Sequence, residues 1–369
     1  MKIVFFGLSL SSSWGNGHAV TYRSLIKGLK LAGHSVVFFE RDAPWYRTHR
    51  DFSETGLCDL RFYEKLSDLA SYRKLLQSAD AIIIGTYVPD ANILFRMMRD
   101  INHRILALYD IDTPVTVADL RAGRQNVFDK SMIAKCDLYL SFTGGPFIAI
   151  LEQEFKAPIV RALYCSVDPD SYKSLTKTRT DHPYALSYLG TYSPDRQAAL
   201  ENLMFKTASA NPNLSFIVAG AQYPDTSSWP ENIVHKDHIA SKDHPTFYAQ
   251  SRITLNLTRR DMMEAGYSPS IRLFEAASCQ TAILTDDWPG LTDFFAPGLE
   301  CLVARNIYDV DAALTLSDHE LDIIGEAARE KVLAAHTGST RAHELLEALN
   351  AAQDRIRSLS EPNPAMHVE

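Results

Sequence analysis

The stretch that decides the fold is KIVFFGLSLSSSWGNGHAVTYRSLIKGLKLAGHSVVFFE, residues 2–40. It contains two short apolar runs, and between them lie a loop of serines and glycines and a segment with apolar residues at helical spacing. In a parallel sheet covered on both faces, buried strands read as continuous apolar runs, whereas a covering helix shows a period of about 3.6 residues. The stretch therefore predicts two parallel strands joined through a loop and a helix.

The same alternation of apolar runs and helical segments recurs through the chain and predicts an α/β fold with doubly wound parallel sheets. In the first half, strands are predicted at residues 2–8, 35–40, 80–86, 104–110, 137–142 and 158–163. In the second half, strands are predicted at residues 184–190, 214–220, 232–235, 253–258, 281–286 and 300–304, and a helix at residues 194–209.

A polar stretch without periodicity, PDSYKSLTKTRTDHP at residues 169–183, separates the two halves and has the composition of a linker. We therefore expect two Rossmann-like domains that face each other across a cleft, where ligands bind at the carboxyl ends of the strands. The predicted division is residues 1–170, a linker at 171–183, residues 184–350 and a tail at 351–369. The last helices are expected to pack back on the first domain.

Composition and charge exclude several function classes. The 369 residues are 46% hydrophobic and 22% charged, with a formal net charge of −8. Because an acidic chain offers no basic surface to a phosphate backbone, nucleic acid is not an expected partner. The five cysteines form no C-x-x-C pair, which argues against a disulfide framework and a structural zinc site and fits a reducing cytoplasm. No apolar run is long enough to predict a transmembrane helix, and peripheral membrane contact stays open.

The strongest chemical signal is the sequence GYSPSIRLFEAAS, residues 266–278. Ser268 followed by Pro269 predicts a helix start, since serine is a favoured N-cap residue and proline suits the first helical position. The free amides of the first turn and the helix dipole then form a site for phosphate. Ser270 belongs to the same turn, so it is a further candidate binding residue.

Three side chains share one face of this predicted helix. Ser268, Arg272 and Glu275 are spaced by four and three residues, so a hydroxyl, a guanidinium and a carboxylate fall on the same side. Arg259, just past the preceding strand, is expected to point into the same space. Arginines and amides suit a diphosphate, and a carboxylate suits ribose hydroxyls. From the spacing alone, a surface ion pair between Arg272 and Glu275 is an equal alternative.

This segment resembles the carboxyl-terminal donor domain of the group-1 GT-B glycosyltransferases, which include spore-maturation CgeB-like proteins. The matching features are the R-x-x-E pair at Arg272 and Glu275, TDDWPGL at residues 285–291 and F-x-P-G-x-E at residues 295–300. Three shorter motifs also fit CgeB-like sequences: TGGP (143–146), YCSVDP (164–169) and LGTYSPDR (189–196).

The resemblance implies the GT-B architecture and transfer of a hexosyl unit from a nucleoside diphosphate sugar, a UDP-sugar, to a hydroxyl of a glycan, lipid or protein. It implies that no metal and no other cofactor takes part, and it favours retention over inversion. Glu275 would hold the donor ribose, and the turn and helix start before it would hold the diphosphate. Tyr267 stands where group-1 enzymes commonly carry a second glutamate beside the donor sugar, so the sugar and the stereochemical outcome stay open.

Two loops of the second half supply further donor-site candidates. Gly190 and Tyr192 follow the first strand of that half, where related GT-B proteins place a loop over the donor phosphates. Tyr223, after the strand at 214–220, is a candidate to stack on the base. A core aromatic residue is the more common explanation for such a tyrosine.

The loop SSSWGNGHAV, residues 11–20, is the main candidate in the first half. Its G-N-G-H sequence resembles the amino-terminal G-G-H loop of GT-B enzymes such as the lipid-linked peptidoglycan transferase, in which glycines let the backbone approach substrate. Gly15 and Gly17 are therefore candidate binding residues. His18 is the leading candidate for an acid/base role, because imidazole exchanges protons near neutral pH. The alternative is a flexible turn before a histidine at a helix start.

Asp110-Ile111-Asp112, at the end of the strand at 104–110, spells the D-x-D of metal-binding GT-A transferases. Two repeated α/β domains do not fit the GT-A fold, so no metal site is expected here. Instead, we expect Asp110 and Asp112 to line the cleft from the acceptor side, where either is a candidate general base if the reaction inverts. A turn role for Asp112 before Thr-Pro has comparable weight.

Three other functions stand as alternatives. Gly15-x-Gly17 after a strand, with Glu40 closing the next strand, imitates the dinucleotide fingerprint of an NAD-dependent dehydrogenase. The third glycine of that motif would fall at Val20, however, and the serine-rich loop is too long for its tight turn. A sugar-nucleotide epimerase would use the same architecture and donor site, and a non-catalytic module would only bind a sugar.

Overall fold

A computed structural model describes residues 1–15, 17–52, 56–101, 104–175 and 182–360. Within them the chain forms two parallel β-sheets flanked by helices. The apolar runs are buried on both sheet faces. In the first strand, for example, Ile3 and Phe5 pack into one hydrophobic cluster, and Val4 and Phe6 pack into another. This two-sided burial explains why these strands are apolar throughout and do not alternate.

The strands of the first sheet are β1 (Lys2–Gly7), β2 (Ser35–Arg41), β3 (Asp59–Tyr63), β4 (Ala81–Gly85), β5 (Leu106–Asp110), β6 (Leu138–Ser141) and β7 (Val160–Ala162). Those of the second are β8 (Tyr184–Leu189), β9 (Phe216–Ala219), β10 (Ile233–Lys236), β11 (Ser251–Asn256), β12 (Ala282–Thr285) and β13 (Leu302–Val303). The spatial orders are β3-β2-β1-β4-β5-β6-β7 and β10-β9-β8-β11-β12-β13. Each order reverses at its centre, so the loops that follow the central strands diverge and leave a crevice at the carboxyl edge.

The helices of the first half are α1 (His18–Leu31), α2 (Pro44–Arg47), α3 (Arg73–Gln77), α4 (Ala91–Ile101), α5 (Thr113–Arg121), α6 (Lys130–Lys135) and α7 (Phe147–Gln153). Those of the second half are α8 (Pro194–Leu200), α9 (Lys206–Ala210), α10 (His244–Ala249), α11 (Arg260–Ala265), α12 (Ile271–Ser278), α13 (Leu291–Phe294), α14 (Ile307–Thr315), α15 (Asp318–Ala335) and α16 (Gly338–Ser360). Short 3₁₀ turns lie at Leu66–Tyr72 and Ser241–Asp243, and a π turn at Glu201–Phe205 joins α8 to α9.

The predicted α/β class with doubly wound sheets is confirmed. The predicted helix at 194–209 is α8, the π turn and α9 in succession. The edge strand β3 escaped prediction because its sequence, DLRFY, is polar at alternate positions and only its last residue is buried. The predicted linker at 171–183 includes residues 176–181, which lie outside the described residues.

The carboxyl-terminal helix α16 leaves the second sheet and packs against α1 of the first half. The two backbones come very close, since a Cβ atom added to Gly28 would lie 2.2 Å from the carbonyl oxygen of Gly338. The sequence predicts a tail from residue 351, but α16 continues to Ser360. Buried residues at helical spacing, including Leu345, Leu349 and Ala352, explain why the helix persists. Residues 361–369 lie outside the described residues.

Candidate active site

A cavity of about 500 Å³ lies between the carboxyl edges of the two sheets. Its first wall consists of residues after β1, β2, β4, β5 and β6, and its second wall of residues after β8, β9, β10 and β11 and in the first turns of α12. Small-molecule sites in proteins commonly have about 300–1,000 Å³, so this volume is typical of a ligand site. Many sequence-predicted site residues line the cavity: Gly15, Gly17, His18, Asp112, Gly190, Arg259, Ser268, Ser270, Arg272 and Glu275.

A buried carboxylate holds the loop between β1 and α1. Glu40, in β2, accepts hydrogen bonds from the backbone N–H groups of Leu10 at 2.7 Å and Ser11 at 2.8 Å, and from the Ser11 hydroxyl at 2.7 Å. Further along, Asp51 accepts a hydrogen bond from the backbone N–H of Ser13 at 3.1 Å. This network argues against the flexible-turn alternative. It also occupies Glu40, which the dehydrogenase alternative needs for a ribose.

Replacing Glu40 with glutamine is expected to lower the free energy of unfolding by about 1–3 kcal/mol, because the new amide group would face buried N–H donors. Urea denaturation followed by circular dichroism measures this change. Glu64→Gln is the matched control, since the Glu64 side chain is 71% exposed and lies 3.8 Å from Arg47. Equal stability of the two variants would contradict the role of Glu40 in holding the loop.

Four side chains from the two walls meet inside the cavity. His18 begins α1, and its ring lies against that of Tyr87 with the centroids 5.6 Å apart. The Tyr87 hydroxyl donates a hydrogen bond to Asp112 Oδ2 at 2.6 Å. From the second wall, Arg259 Nη1 lies 3.7 Å from the same oxygen. This cluster therefore joins an imidazole, a phenol, a carboxylate and a guanidinium across the cleft.

The environment of His18 favours the neutral imidazole. Burial lowers the pKa of His18, and the negative charge of Asp112 opposes that effect only in part. The Nδ1 atom is buried and has no hydrogen-bond partner among the described residues. A neutral ring with an unengaged nitrogen is able to accept a proton from a bound hydroxyl.

Asp110 does not line the cavity, which corrects the expectation that both aspartates do. Its carboxylate is fully buried and accepts hydrogen bonds from the hydroxyl groups of Thr86, at 2.9 Å, and Tyr139. Burial raises the pKa of Asp110 to about 6. The chain turns from β5 into α5 directly after this residue, so Asp110 and Asp112 lie in different surroundings. Across the described ranges, no three His, Cys, Asp or Glu side chains are grouped to hold a metal ion.

On the second wall, α12 begins later than the sequence predicts. The N-cap residue is Ser270, not Ser268, and the first helical residue is Ile271. The Ser268 hydroxyl instead accepts a hydrogen bond from the Thr143 hydroxyl of the first half at 3.1 Å, so it is unavailable as a cap. The Ser270 hydroxyl accepts from Arg272 Nε at 3.1 Å and makes no capping hydrogen bond. The amides of the first turn therefore have no side-chain cap from Ser270.

Arg272 lies beside this helix start, where it holds two strand ends. Its guanidinium donates hydrogen bonds to the carbonyl oxygens of Leu189 at 2.8 Å and Leu257 at 3.3 Å. A Cβ atom at position 190 would lie 2.7 Å from Arg272 Nη1, so Gly190 makes room for the guanidinium. The predicted alternative of a surface ion pair with Glu275 is wrong, because the two side chains bind different partners.

Arg196, in α8, lines the cavity near Arg272. It donates a hydrogen bond to the carbonyl oxygen of Thr191 at 2.7 Å, and its buried Nε has no partner among the described residues. Burial lowers the pKa of Arg196, and the positive charge of Arg272 lowers it further. Within the part of the chain that the structure describes, neither arginine forms an ion pair with a carboxylate. Two neighbouring, partly buried cations without an ion-pair partner favour an anionic ligand.

Glu275 is 2% exposed and lies deeper along α12. It accepts hydrogen bonds from the hydroxyls of Tyr172 at 2.9 Å and Tyr248 at 3.2 Å, and its Oε2 lies 3.4 Å from His244 Nδ1. Although burial acts to lower the pKa of His244, the charge of Glu275 and its hydrogen bond raise the pKa above the ordinary value. The carboxylate is thus fixed in orientation at the cavity wall.

Two predicted donor-site residues do not line the cavity. The rings of Tyr192 and Tyr223 contact each other with centroids 5.6 Å apart, and Tyr223 also packs edge-on against Trp229 and His235. The Tyr223 hydroxyl donates to the carbonyl oxygen of Gly190 at 3.2 Å. Tyr223 is therefore a packed aromatic residue that supports the loop at Gly190.

Tyr267, where a second glutamate is common in group-1 enzymes, joins the two halves. Its φ of 48° is in the left-handed region, and its ring covers both Gly145 and Gly290 so closely that a Cβ atom at either glycine would lie 2.5 Å from it. The Tyr267 carbonyl oxygen accepts a hydrogen bond from the Gly144 N–H at 3.0 Å. Together with the contact between Thr143 and Ser268, this fixes the turn before α12 to the first half.

Among the cavity residues that sequence reasoning missed are three whose contacts are described above: Tyr87, Arg196 and His244. Tyr87 directly follows a correctly predicted strand. Arg196 lies in the LGTYSPDR motif, which begins at the end of another predicted strand. Both residues could have been identified because they follow a strand. His244 carried no such signal, because its contact with Glu275 joins segments 31 residues apart in sequence.

The comparisons with known proteins begin with the sequence. Residues 196–347 match a family model described as glycosyl transferase-like. No curated protein matches the chain. The matched part runs from within α8 to within α16 and includes most of the second wall of the cavity, without the residues directly after β8.

Solved structures match nearly the whole chain at low sequence identity. Sucrose-phosphate synthase from Thermosynechococcus elongatus has a TM-score of 0.68 and 15% identity, with 95% of this chain and 99% of that chain covered. Anabaena HepE in complex with UDP and glucose has a TM-score of 0.68 and 12% identity, with 95% and 100% covered. An alpha-glucosyltransferase in complex with UDP-glucose and DNA containing an abasic site has a TM-score of 0.70 and 15% identity, with 95% and 99% covered. The chain therefore has the GT-B fold.

The described helices include none that is both long and apolar enough to cross a bilayer.

Proposed function

We propose that the chain is a glycosyltransferase that moves a sugar from a UDP-sugar onto a hydroxyl acceptor. The observation that carries this proposal is the pair Arg196 and Arg272, two partly buried cations beside the start of α12 that form no ion pair with a carboxylate of the described residues. A diphosphate supplies the missing negative charge and accepts hydrogen bonds from guanidinium and amide groups. The match to a glycosyl transferase-like model over the same wall supports this assignment.

The donor nucleoside would lie along α12, with its ribose hydroxyls at Glu275. That carboxylate is held by Tyr172, Tyr248 and His244, so it presents a fixed acceptor for hydrogen bonds. The choice of uridine rests on the structural neighbours, two of which were solved with UDP or UDP-glucose. CgeB-like specificity stays a prediction from sequence.

For the reaction, the acceptor hydroxyl would approach from the first wall. Its oxygen attacks the anomeric carbon, the bond from that carbon to the diphosphate oxygen breaks, and the hydroxyl proton passes to His18 or Asp112. Arg196 and Arg272 would stabilise the negative charge that develops on the leaving diphosphate, a task that other transferases give to a metal ion. A single displacement with His18 or Asp112 as the base inverts the anomeric centre. The sequence-based preference for retention requires attack from the face that the diphosphate leaves, and it stays a prediction from sequence.

The expected result is that the protein binds UDP and transfers the sugar of at least one UDP-sugar. Isothermal titration calorimetry with UDP, GDP, ADP and NAD shows which nucleotide the protein binds. Mass spectrometry of the products distinguishes transfer of the sugar to an acceptor from epimerisation of the donor sugar. Glu275→Gln is expected to raise the dissociation constant for UDP by about tenfold, because one charge-assisted hydrogen bond to ribose is lost. Tight binding of NAD without binding of UDP would overturn the proposal.

A further inference from the structure

A group of aromatic side chains lies beside the first wall of the cavity, where Tyr46 lines it and Trp14 stands between the lining residues Ser13 and Gly15. It consists of Trp14, Trp45, Tyr46 and His49, and we refer to it as the mouth aromatics. Trp45 is 58% exposed, although it neighbours Tyr46, which lines the cavity. Their ring centroids are 6.1 Å apart. Trp14 stacks on His49 with a centroid distance of 4.7 Å and an interplanar angle of 20°.

The mouth aromatics are held in place by backbone contacts. A ring nitrogen of His49, Nδ1, lies 2.9 Å from the carbonyl oxygen of Trp45. The carbonyl oxygen of His49 accepts a hydrogen bond from the Ser12 hydroxyl at 2.7 Å. The loop that carries Trp14 is in turn anchored by Glu40. The backbone of this segment is thus held in place, and the exposed indole of Trp45 offers an apolar face to a ligand beside the cavity.

The charges around the mouth aromatics differ from those on the second wall. Arg23 pairs with Asp51 at 2.6 Å, and Arg47 and Arg50 both pair with Asp42, at 2.7 and 2.9 Å. Arg47 also lies 3.8 Å from Glu64, so three carboxylates balance these three guanidinium groups. By contrast, Arg196 and Arg272 of the second wall form no ion pair with a carboxylate of the described residues. The second wall therefore suits an anion, and the mouth suits a molecule that is polar but carries no charge.

We propose that the acceptor is an uncharged saccharide and that one of its sugar rings stacks on Trp45. A sugar ring has a flat face of C–H groups, which matches an indole face, and a rim of hydroxyls, which matches the paired charged groups around it. Stacking at the mouth would leave the next sugar unit to extend into the cavity toward His18 and Asp112. This inference rests on the proposed glycosyltransferase function and names the substrate class of its second substrate.

The test offers each UDP-sugar with a panel of acceptors: neutral di- and trisaccharides, phosphorylated and sialylated sugars, a long-chain alcohol and a serine-containing peptide. Products are identified by mass spectrometry. We expect transfer to neutral saccharides, and an acceptor KM that rises about three- to tenfold in Trp45→Ala, with a smaller rise in Trp45→Phe. Tyr308→Ala, at a 79% exposed aromatic on α14, is the matched control and should keep the wild-type KM.

Two results would overturn this inference: transfer to none of the neutral saccharides while UDP-sugar binds, or an acceptor KM in Trp45→Ala equal to that of the control. Preference for the long-chain alcohol, the peptide or an anionic sugar would also overturn it. The proposed function itself fails if calorimetry shows no binding of UDP, so its failure is distinguishable from that of this inference.

Discussion

Replacing Arg272 with alanine is expected to weaken the binding of UDP by about 100-fold. A hydrogen bond to a charged group contributes about 1.5–3 kcal/mol, and a guanidinium can give two to a diphosphate. The loss should exceed that of Glu275→Gln, since it removes a charge next to the diphosphate. Calorimetry at low and high salt concentration measures the UDP affinity of each variant. The affinity of the wild type should fall as the salt concentration rises.

Two controls separate ligand binding from folding. Arg272→Lys keeps the positive charge but loses the planar guanidinium group with its paired N–H donors. Its affinity for UDP should therefore lie between those of the wild type and the alanine variant. Arg305→Ala removes an exposed arginine of the second half that pairs with Asp287, and it should bind UDP normally. Because Arg272 also holds Leu189 and Leu257, urea denaturation checks that the variant folds. Unchanged UDP affinity in a folded Arg272→Ala variant would refute the donor site.

Replacing His18 with alanine is expected to lower kcat by about 100-fold or more, with little change in UDP affinity, because general acid–base groups contribute about 10²–10⁴-fold. His343→Ala is the matched control, since His343 is exposed on α16 and contacts only Glu347 among the described salt-bridge partners. Full turnover in His18→Ala would return this histidine to a structural role at the start of α1.

The pH dependence of the wild type follows from the same residue. Burial lowers the pKa of His18, and Asp112 compensates only in part. If the neutral ring is the working base, activity should persist as pH falls below the ordinary histidine value and should decline only at the lower pKa. A pH profile of kcat measures this. The acid limb should be much reduced in His18→Ala, and an acid limb at or above the ordinary histidine value would contradict the assignment.

Much of the fold was predictable because its signals are local. Runs such as AIIIG in β4 and LALYD in β5 are buried on both faces, so they are apolar at every position except at the strand end. The edge strand β3 was missed for the opposite reason, since solvent on one side allows Asp59 and Arg61 in its sequence. The π turn within the predicted helix at 194–209 also leaves no clear mark in the sequence.

The candidate site was predictable only where neighbours in sequence are neighbours in space. Arg272 and Glu275 share a helix, and their spacing together with the family resemblance placed both at one site. The start of α12 was predicted two residues early, because the partner of Ser268 is Thr143, 125 residues away. Asp110 and Asp112 are equivalent in the D-x-D pattern, yet the turn into α5 buries one and leaves the other in the cavity.

The contacts of the turn before α12 bear on how the two sheets move relative to each other. This turn belongs to the second half, but Gly144 and Thr143 of the first half bind it at Tyr267 and Ser268. Widening the cleft here would break both hydrogen bonds and pull the Tyr267 ring from between two glycines. Relative motion of the sheets is therefore expected to be a rotation with this turn as its pivot.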